Sequence, residues 1–194
     1  KMTKFTQSAA FTPHISAMVS IAMVFSQMMN PNIGLFNTVL EGIGLPKLNW
    51  LQSSDTAMGS VIFVACWKSI GYYSLIIIGA LQSISPSIYE AAELDNTSRW
   101  RTLTRITIPM ISPQLFFTLI VMTIGSFKVF DTVRLLTDGG PNNATSTLVY
   151  YIYKTVFWDD NVGRACAASV ILLICVSILT VIYFKLLSKK VHYQ

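Results

Sequence analysis

Residues 85–109 read SPSIYEAAELDNTSRWRTLTRITIP and separate two long apolar stretches. The first half predicts a short helix, because Pro86 suits a first turn and the run EAAEL at 90–94 consists of good helix formers. Asn96 can end this helix, since asparagine tolerates the left-handed conformation better than most residues. The stretch therefore predicts a short, well-delimited helix between two apolar segments.

The second half of the stretch predicts another short helix that meets the first at an angle. Thr97 or Ser98 can cap it, and Pro109 is expected to end it. Ser85 and Ser87 are the candidate caps of the first helix. On these features alone, a solvated connector fits the stretch as well as a functional loop does.

Four apolar stretches are long enough to cross a bilayer, which takes about 20 residues; they are 11–29, 57–84, 110–136 and 165–187. The chain is 53% hydrophobic and 12% charged, with a mean hydropathy of +0.55. A soluble domain is about 25% charged, and a disordered chain needs low hydrophobicity and high charge. We therefore predict an all-α membrane protein.

The basic residues predict the orientation of these spans. If the N-terminal end is cytoplasmic, the inner side carries Lys1, Lys4, Arg99, Arg101, Arg105, Lys185, Lys189 and Lys190. The outer side then carries Lys47, Lys154 and Arg164. This excess of inner charge agrees with the positive-inside rule. We expect both ends of this chain, and the loop 85–109, to be cytoplasmic.

The segments between the spans are predicted to lie at the outer surface. Residues 33–48 carry apolar side chains at helical spacing, which favours an interfacial helix, and Asn49-Trp50-Leu51 would anchor it. Residues 137–143 consist of turn formers. Residues 148–157 are rich in tyrosine but too short to span the membrane.

The loop 85–109 resembles the EAA loop of bacterial ABC importer permeases. That motif reads E-A-A, three residues, Gly, nine residues and I-x-L-P; here the matching positions are Glu90-Ala91-Ala92, Asn96 and Ile106-Thr107-Ile108-Pro109. The departures, Asn96 for Gly and Ile108 for Leu, are mild, because asparagine is the next-best residue for a positive φ. The spacing matches throughout.

Other motifs are similar to those of carbohydrate-importer permeases of the maltose and glycerol-phosphate type. They are GLFN at 34–37 with NWL at 49–51, Trp67 with Gly71, ALQ at 80–82, FKVFD at 127–131, LTDGGP at 136–141 and GRA at 163–165. The resemblance implies a helical bundle with a six-span core, of which about four spans, the last four, are present. It thus predicts a single transmembrane domain over residues 1–194 that is incomplete at its N-terminus.

The resemblance also implies a function. The chain would be a permease subunit of an ATP-driven sugar importer in the bacterial cytoplasmic (inner) membrane, and not itself an enzyme. Its partners would be the lipid bilayer, a second, non-identical permease, two ATPase subunits that hold ATP and Mg²⁺, and an extracytoplasmic sugar-binding protein. The chain itself would hold no cofactor and no metal, since it contains no G-x-x-x-x-G-K-[ST] motif and no Cys/His metal cluster. Nucleic acid is not expected as a partner.

By the same resemblance, six loop residues would couple the permease to the ATPase: Glu90, Ala91, Ala92, Asn96, Ile106 and Pro109. The short helix would dock in a groove of the ATPase and move with it. Glu90 would be the main polar contact, the two alanines would allow close approach, and Asn96 would set the angle of the docking face.

The substrate path, carried over from maltose-type permeases, would include Ala65, Lys68, Ser69 and Tyr72 before the loop and Ser126 and Val129 after it. Lys68 and Tyr72 are one helical turn apart, as are Ser126 and Val129, so each pair is expected to share a face. Sugars suit a face with an aromatic ring and polar groups. Lys68 would favour an anionic or strongly hydrogen-bonding substrate, or it would form a structural pair.

The alternative is a channel or secondary transporter that uses intramembrane charges. Lys68, Lys128 and Asp131 favour it, because charges at membrane depth are usually functional. However, Lys128 and Asp131 are three residues apart and can pair on one helix face. No acidic residue lies near the middle of a predicted span to carry a proton or cation.

Overall fold

The computed structural model describes residues 2–187, with side chains from residue 5 to residue 185, and in this range it contains helices and no strand. The helices are α1 Met2–Ile15, α2 Met18–Met28, α3 Leu35–Gly42, α4 Ser54–Gln82, α5 Pro86–Leu94, α6 Arg99–Thr102, a π-helical segment Leu103–Thr107, α7 Ile108–Met110, α8 Ser112–Phe127, α9 Asp131–Leu136, α10 Leu148–Phe157 and α11 Val162–Leu187. The all-helical fold class predicted from the sequence is confirmed.

Two of these helices, α4 and α11, are long and apolar enough to cross a bilayer by themselves, with mean hydropathies of 1.8 and 2.8. Two bent pairs meet the same condition only when each is taken as one span. In the first pair, the helix axes of Phe5–Ile15 and Met18–Met28 are bent by 96° relative to each other. In the second pair, the bend between Arg99–Met110 and Ser112–Phe127 is 69°. The described residues therefore contain two candidate spans, or four with the bent pairs.

The stretches 11–29 and 110–136, each predicted as one span, are interrupted. The first is broken between α1 and α2, where Ala17 leaves helical geometry with ψ 132°. The second ends as a helix at Phe127, and α9 begins only at Asp131. In that gap the carbonyl of Val129 accepts from the Thr147 hydroxyl at 3.0 Å. Hydropathy indicates whether a segment suits an apolar environment, but it does not indicate whether the helix is continuous. The hydropathy pattern therefore could not predict either break.

The described residues fall into two compact units, which are 2–71 with 126–174 and 72–125 with 175–187. In the first unit, α2 packs against α4 through Ile21, Phe25, Met29 and Val64. The ring of Phe25 meets that of Trp67 edge-on, with centroids 5.0 Å apart. A second cluster joins α4, α9 and α10 through Val61, Val133 and Tyr150.

A buried amide holds the segment 31–50, which follows α2. Asn37 is 2% exposed, and its Nδ2 donates to the carbonyls of Pro31 and Leu48, both at 3.0 Å. Its Oδ1 accepts from the Leu48 N–H at 3.1 Å and from Trp50 Nε1 at 2.9 Å. One side chain thus joins the GLFN and NWL motifs, and the predicted interfacial helix is limited to the eight residues of α3.

The second unit contains the loop between α4 and α8 together with the C-terminal part of α11. The ring of Phe116 on α8 meets that of Phe184 on α11 edge-on at 5.5 Å. Two turns along, the hydroxyl of Thr123 donates to Tyr183 Oη at 3.1 Å. These contacts fix α8, which follows the loop, against α11.

Candidate coupling loop and substrate path

The first helix of the loop, α5, begins as the sequence predicts, with Pro86 in its first turn. Ser85 occupies the N-cap position, but its side chain makes no capping hydrogen bond. The hydroxyls of Ser85 and Ser87 lie 2.8 Å from each other instead. A proline at the start removes one of the N–H groups that would otherwise need a cap.

The end of α5 is a Schellman motif built on Asn96. This residue has φ 51°, and its N–H donates to the Glu93 carbonyl at 3.0 Å. The following Thr97 N–H donates to the Ala92 carbonyl at 3.1 Å, and the Thr97 hydroxyl donates to the same carbonyl at 2.6 Å. These are the two backbone bonds that define this helix end. Asn96 thus adopts the left-handed conformation expected at the position of the motif's glycine.

The second helix of the loop contains an unusual turn. Ser98 caps it by accepting from the Arg101 N–H at 3.4 Å, and Leu103–Thr107 form a π segment in which the Ile108 N–H donates to the Leu103 carbonyl. Pro109 was predicted to end this helix, but the helix continues to Met110. In a regular α-helix the ring of Pro109 would clash with the carbonyl four residues earlier, and the wider π turn lies where that clash would arise.

The two short helices are joined into one structure. Tyr89 Oη and Thr107 Oγ1 lie 3.3 Å apart, and the hydroxyls of Thr97 and Thr102 also lie 3.3 Å apart. Ala92 and Thr107 are each 6% exposed. A cavity of about 310 Å³ lies between the helices; its lining is Tyr89, Ala92, Glu93, Thr97, Arg99, Thr102, Leu103 and Thr107.

The exposed surface of the loop carries two large apolar side chains that were not predicted from the sequence. Leu94 is 85% exposed and Trp100 is 74% exposed. Glu90 and Ala91 are also exposed, and Leu94 follows them by one turn on the same helix face. The position of Leu94, one helical turn after Glu90, was the signal that could have identified it as an exposed apolar residue.

The six residues predicted to couple the loop to a partner do not share one surface. Glu90, Ala91 and Asn96 are exposed, whereas Ala92 is buried within the loop. Ile106 and Pro109 are half-buried in the second helix. Of the two motif alanines, only Ala91 is therefore on the face that a partner could approach.

The predicted path residues of α4 are half-buried. Ala65 lies in its central part, one turn before Lys68 and Ser69, and the ammonium of Lys68 donates to the carbonyl of Ser16 at 2.8 Å. Tyr72, one turn further, is also half-buried, and its ring meets that of Tyr73 at 5.1 Å.

The predicted path residues after the loop do not share a helix face. Ser126 is exposed near the end of α8, whereas Val129 follows the end of that helix and packs against the cluster of Val61, Val133 and Tyr150. The prediction from their spacing was wrong because it assumed a continuous helix. For the same reason Lys128 and Asp131 do not pair: the ion pairs within the described residues are Lys47 with Glu41 and Arg134 with Asp138.

The LTDGGP motif forms a closed turn against α10. The hydroxyl of Tyr150, a residue 1% exposed, donates to the Asp138 carbonyl at 2.7 Å and lies 2.9 Å from Asp138 Oδ1. Burial, followed by the bond to Asp138, raises the pKa of Tyr150 to about 12. Arg134 pairs with Asp138, and the hydrogen bond to that carboxylate raises the guanidinium pKa. Gly139, at φ 76°, lies so close to the Tyr150 ring that a Cβ there would collide with it.

Among residues 5–185, whose side chains the structure describes, no group of three or more His, Cys, Asp or Glu side chains is arranged to hold a metal ion. The three cysteines, Cys66, Cys166 and Cys175, are free and exposed. The features that distinguish this chain are its apolar helices and the two-helix loop between α4 and α8.

Apolar helices of this length, joined by such a loop, define a helical membrane protein. Residues 4–193 match the family described as Binding-protein-dependent transport system inner membrane component, and the chain belongs to this family. The family resemblance inferred from the loop is thereby confirmed.

Curated relatives carry related descriptions. The chain is 36% identical over 187 residues to the Probable ABC transporter permease protein YurN of Bacillus subtilis (strain 168), covering 95% of this chain and 64% of the relative. It is 36% identical over 193 residues to the sn-glycerol-3-phosphate transport system permease protein UgpA of Salmonella choleraesuis (strain SC-B67), covering 99% of this chain and 65% of the relative. The chain thus spans somewhat less than two thirds of these relatives.

Solved structures give the same comparison in three dimensions. A chain in the crystal structure of a bacterial alginate ABC transporter, in complex with an alginate pentasaccharide-bound periplasmic protein, superposes with a TM-score of 0.84 at 26% identity. That match covers 93% of this chain and 63% of the other. A second structure, of a bacterial ABC transporter involved in the import of the acidic polysaccharide alginate, matches with a TM-score of 0.83 at 27% identity.

Proposed function

We propose that this chain is the transmembrane permease subunit of an ATP-driven importer for a sugar or sugar derivative. It would form half of the substrate pathway, and ATP hydrolysis would occur on separate subunits. The observation that carries the proposal is the helix α5, whose left-handed end at Asn96 lies at the glycine position of the EAA motif that the loop resembles. Family membership and the descriptions of the relatives support it.

The coupling step follows from the exposed face of the loop. Leu94 and Trp100 expose apolar surface. Glu90 and Ala91 are exposed on the same helix as Leu94, so a carboxylate lies one turn from that apolar side chain. Burying such side chains in a groove of an ATPase would provide affinity, since removing apolar area from water yields roughly 25 cal/mol per Å². The bonds between the two short helices would let them move as one body, and Pro109 would lead that motion into α8.

The orientation and partners follow from this role. The loop 85–109 and both ends of the chain would be cytoplasmic, in the bacterial cytoplasmic membrane, where the ATPase subunits hold ATP and Mg²⁺. A second, non-identical permease would complete the pathway. An external sugar-binding protein would deliver substrate, a proposal supported by the periplasmic protein in the related alginate transporter structure.

The substrate is proposed to be a sugar or sugar derivative that carries an anionic group. The supporting relatives are described as acting on sn-glycerol-3-phosphate and on the acidic polysaccharide alginate. The proposed path borders Ala65, Lys68, Ser69 and Tyr72 on α4, together with Ser126 and Val129. Tyr72 would offer an aromatic ring to the apolar surface of a sugar.

The proposal is tested by co-purification of the full-length protein from membranes of its source organism. A tagged wild-type protein should bring an ATPase subunit with it. Leu94→Asp should reduce that yield at least tenfold, because the charge would replace apolar surface at the docking face. Leu45→Asp is the matched control, since Leu45 is 50% exposed on the proposed outer side. Equal ATPase yields from Leu94→Asp and wild type, or no ATPase with either, would contradict the proposal.

A further inference from the structure

Lys68 is a cation at the midpoint of α4, the long apolar helix Ser54–Gln82. A charge at that depth in a membrane is costly and is normally paired. Its partner in this structure is the carbonyl oxygen of Ser16, which accepts from the ammonium at 2.8 Å. Ser16 lies at the 96° bend between α1 and α2.

The bend gives the Ser16 carbonyl a need for an outside donor. The chain leaves helical geometry at Ala17, where ψ is 132°, so Ser16 lies just past the end of α1. Carbonyls at a helix end lose the N–H groups that a continuing helix would supply. Non-helical backbone at membrane depth is tolerated only where other groups of the protein satisfy it. A lysine ammonium, which has three donors and no acceptor, meets that need.

A close helix crossing brings the two groups together. A Cβ added at Gly71 would collide with the carbonyl of Ala10, so the backbones of α1 and α4 touch there. Small residues permit such close approach between membrane helices. Gly71 is three residues after Lys68 and on the same face of α4. The crossing therefore holds α1 where Lys68 can reach the carbonyl of Ser16.

We propose that Lys68 is a positioning residue that holds the bend between α1 and α2 by supplying the hydrogen-bond donor that the broken helix lacks. Lys68 acts through Ser16 on the shape of the bent pair, and the ammonium is not the group that recognises the substrate. The inference concerns a residue of the proposed pathway, but its geometric basis does not depend on what the importer carries.

The distance between Phe5 and Gln27 reports the bend directly. Both side chains are exposed, and each is eleven residues from Ser16. At about 1.5 Å per residue, each arm is about 16.5 Å long. The backbone distance is then about 22 Å at a bend of 96°, and about 33 Å for one straight helix. Spin labels at both positions, in full-length protein without other cysteines and in liposomes, measure this distance by pulsed electron resonance.

Removing the donor should open the bend, and restoring a donor should close it. Lys68→Met keeps the length of the side chain without a donor, so the distance should broaden and shift toward 33 Å. Lys68→Arg should keep the distance near 22 Å. Lys185→Met, which removes the same charge at the end of α11, is the control and should leave it unchanged. A narrow distance near 22 Å in Lys68→Met would overturn the proposal.

A second variant tests the same device without touching the ammonium. Gly71→Ala should displace α1 from α4 and lengthen the distance, whereas Gly79→Ala should not, because nothing lies within 4 Å of a Cβ at Gly79. An unchanged distance in Gly71→Ala would also overturn the proposal. These distances are measured without substrate or ATP, so failure of the proposed transport function would leave their interpretation intact.

Discussion

The N–H of Thr97 donates to the carbonyl of Ala92 at 3.1 Å, while Asn96, the residue before Thr97, has φ 51°. That pairing requires the left-handed conformation at Asn96, which glycine adopts freely and asparagine tolerates. The relationship ties the identity of one side chain to the angle at which the two short helices of the loop meet.

The activity of variants at position 96 should therefore depend on how well the new residue tolerates a positive φ. Asn96→Gly should preserve substrate-stimulated ATP hydrolysis by the assembled importer. Asn96→Val should reduce it, because a β-branched residue would add about 1–3 kcal/mol of backbone strain. Limited trypsin digestion at Arg99 and Arg101 gives a structural readout, with faster cleavage expected only in Asn96→Val. Equal activity and equal cleavage in both variants would show that the left-handed conformation is not required.

The amide of Asn37 should be needed to hold the segment 31–50 in its folded form. Asn37→Ala would leave the N–H groups of Leu48 and Trp50 without their acceptor. Leu48 and Trp50 are half-buried, so each unpaired group costs only part of the roughly 1–3 kcal/mol of a fully buried one, and we expect a destabilisation of about 1–3 kcal/mol. Thermal unfolding in detergent, followed by tryptophan fluorescence, measures it. Asn32→Ala, at an exposed position, is the control, and identical unfolding midpoints for the two variants would count against this role.

Tyr150 makes the LTDGGP turn at 136–141 sensitive to alkaline pH. Its pKa is raised to about 12 from the ordinary 10.0, so the folded state favours the neutral phenol. The stabilisation is fully present below pH 10 and is lost as the pH rises from 10 through about 12. Tyr150→Phe should remove one tyrosinate transition near pH 12 from the ultraviolet titration. If that transition persists in Tyr150→Phe, its assignment to Tyr150 is wrong.

The glycine beside Tyr150 should not tolerate a larger residue. In Gly139→Ala, the new Cβ would meet the Tyr150 ring, and φ 76° is disfavoured for alanine. We expect the thermal unfolding midpoint in detergent to fall by several degrees, because the ring cannot move without breaking its bonds to Asp138. Gly42→Ala, where nothing lies within 4 Å of a Cβ, should unfold like the wild type. Matching midpoints in the two variants would contradict the close contact.

Much of this architecture could be predicted from local sequence. Apolar length indicated membrane helices, and the preference of asparagine for positive φ correctly predicted the end of α5 at Asn96. Both inferences succeed because the cause lies within a few residues of the effect. The cap at Ser98 was predictable on the same ground.

The remaining features depend on contacts that are distant in the sequence. Lys68 meets Ser16 from 52 residues away, and Val129 leaves helical geometry where its carbonyl accepts from Thr147, 18 residues on. The inward orientation of Ala92 depends on the second helix of the loop. Hydropathy and spacing carry no information on such pairings, so the two helix breaks and the true exposed face of the loop were not predicted.

The central claim is that the loop 85–109 couples this chain to an ATPase, and Glu90→Lys tests it most directly. ATP hydrolysis is measured in the assembled importer in liposomes, with Glu41→Lys on the proposed outer side as the matched control. We predict that Glu90→Lys inserts normally but loses at least nine tenths of substrate-stimulated hydrolysis, because a cation replaces the exposed carboxylate of the docking face. Hydrolysis at the wild-type rate in Glu90→Lys would contradict the account.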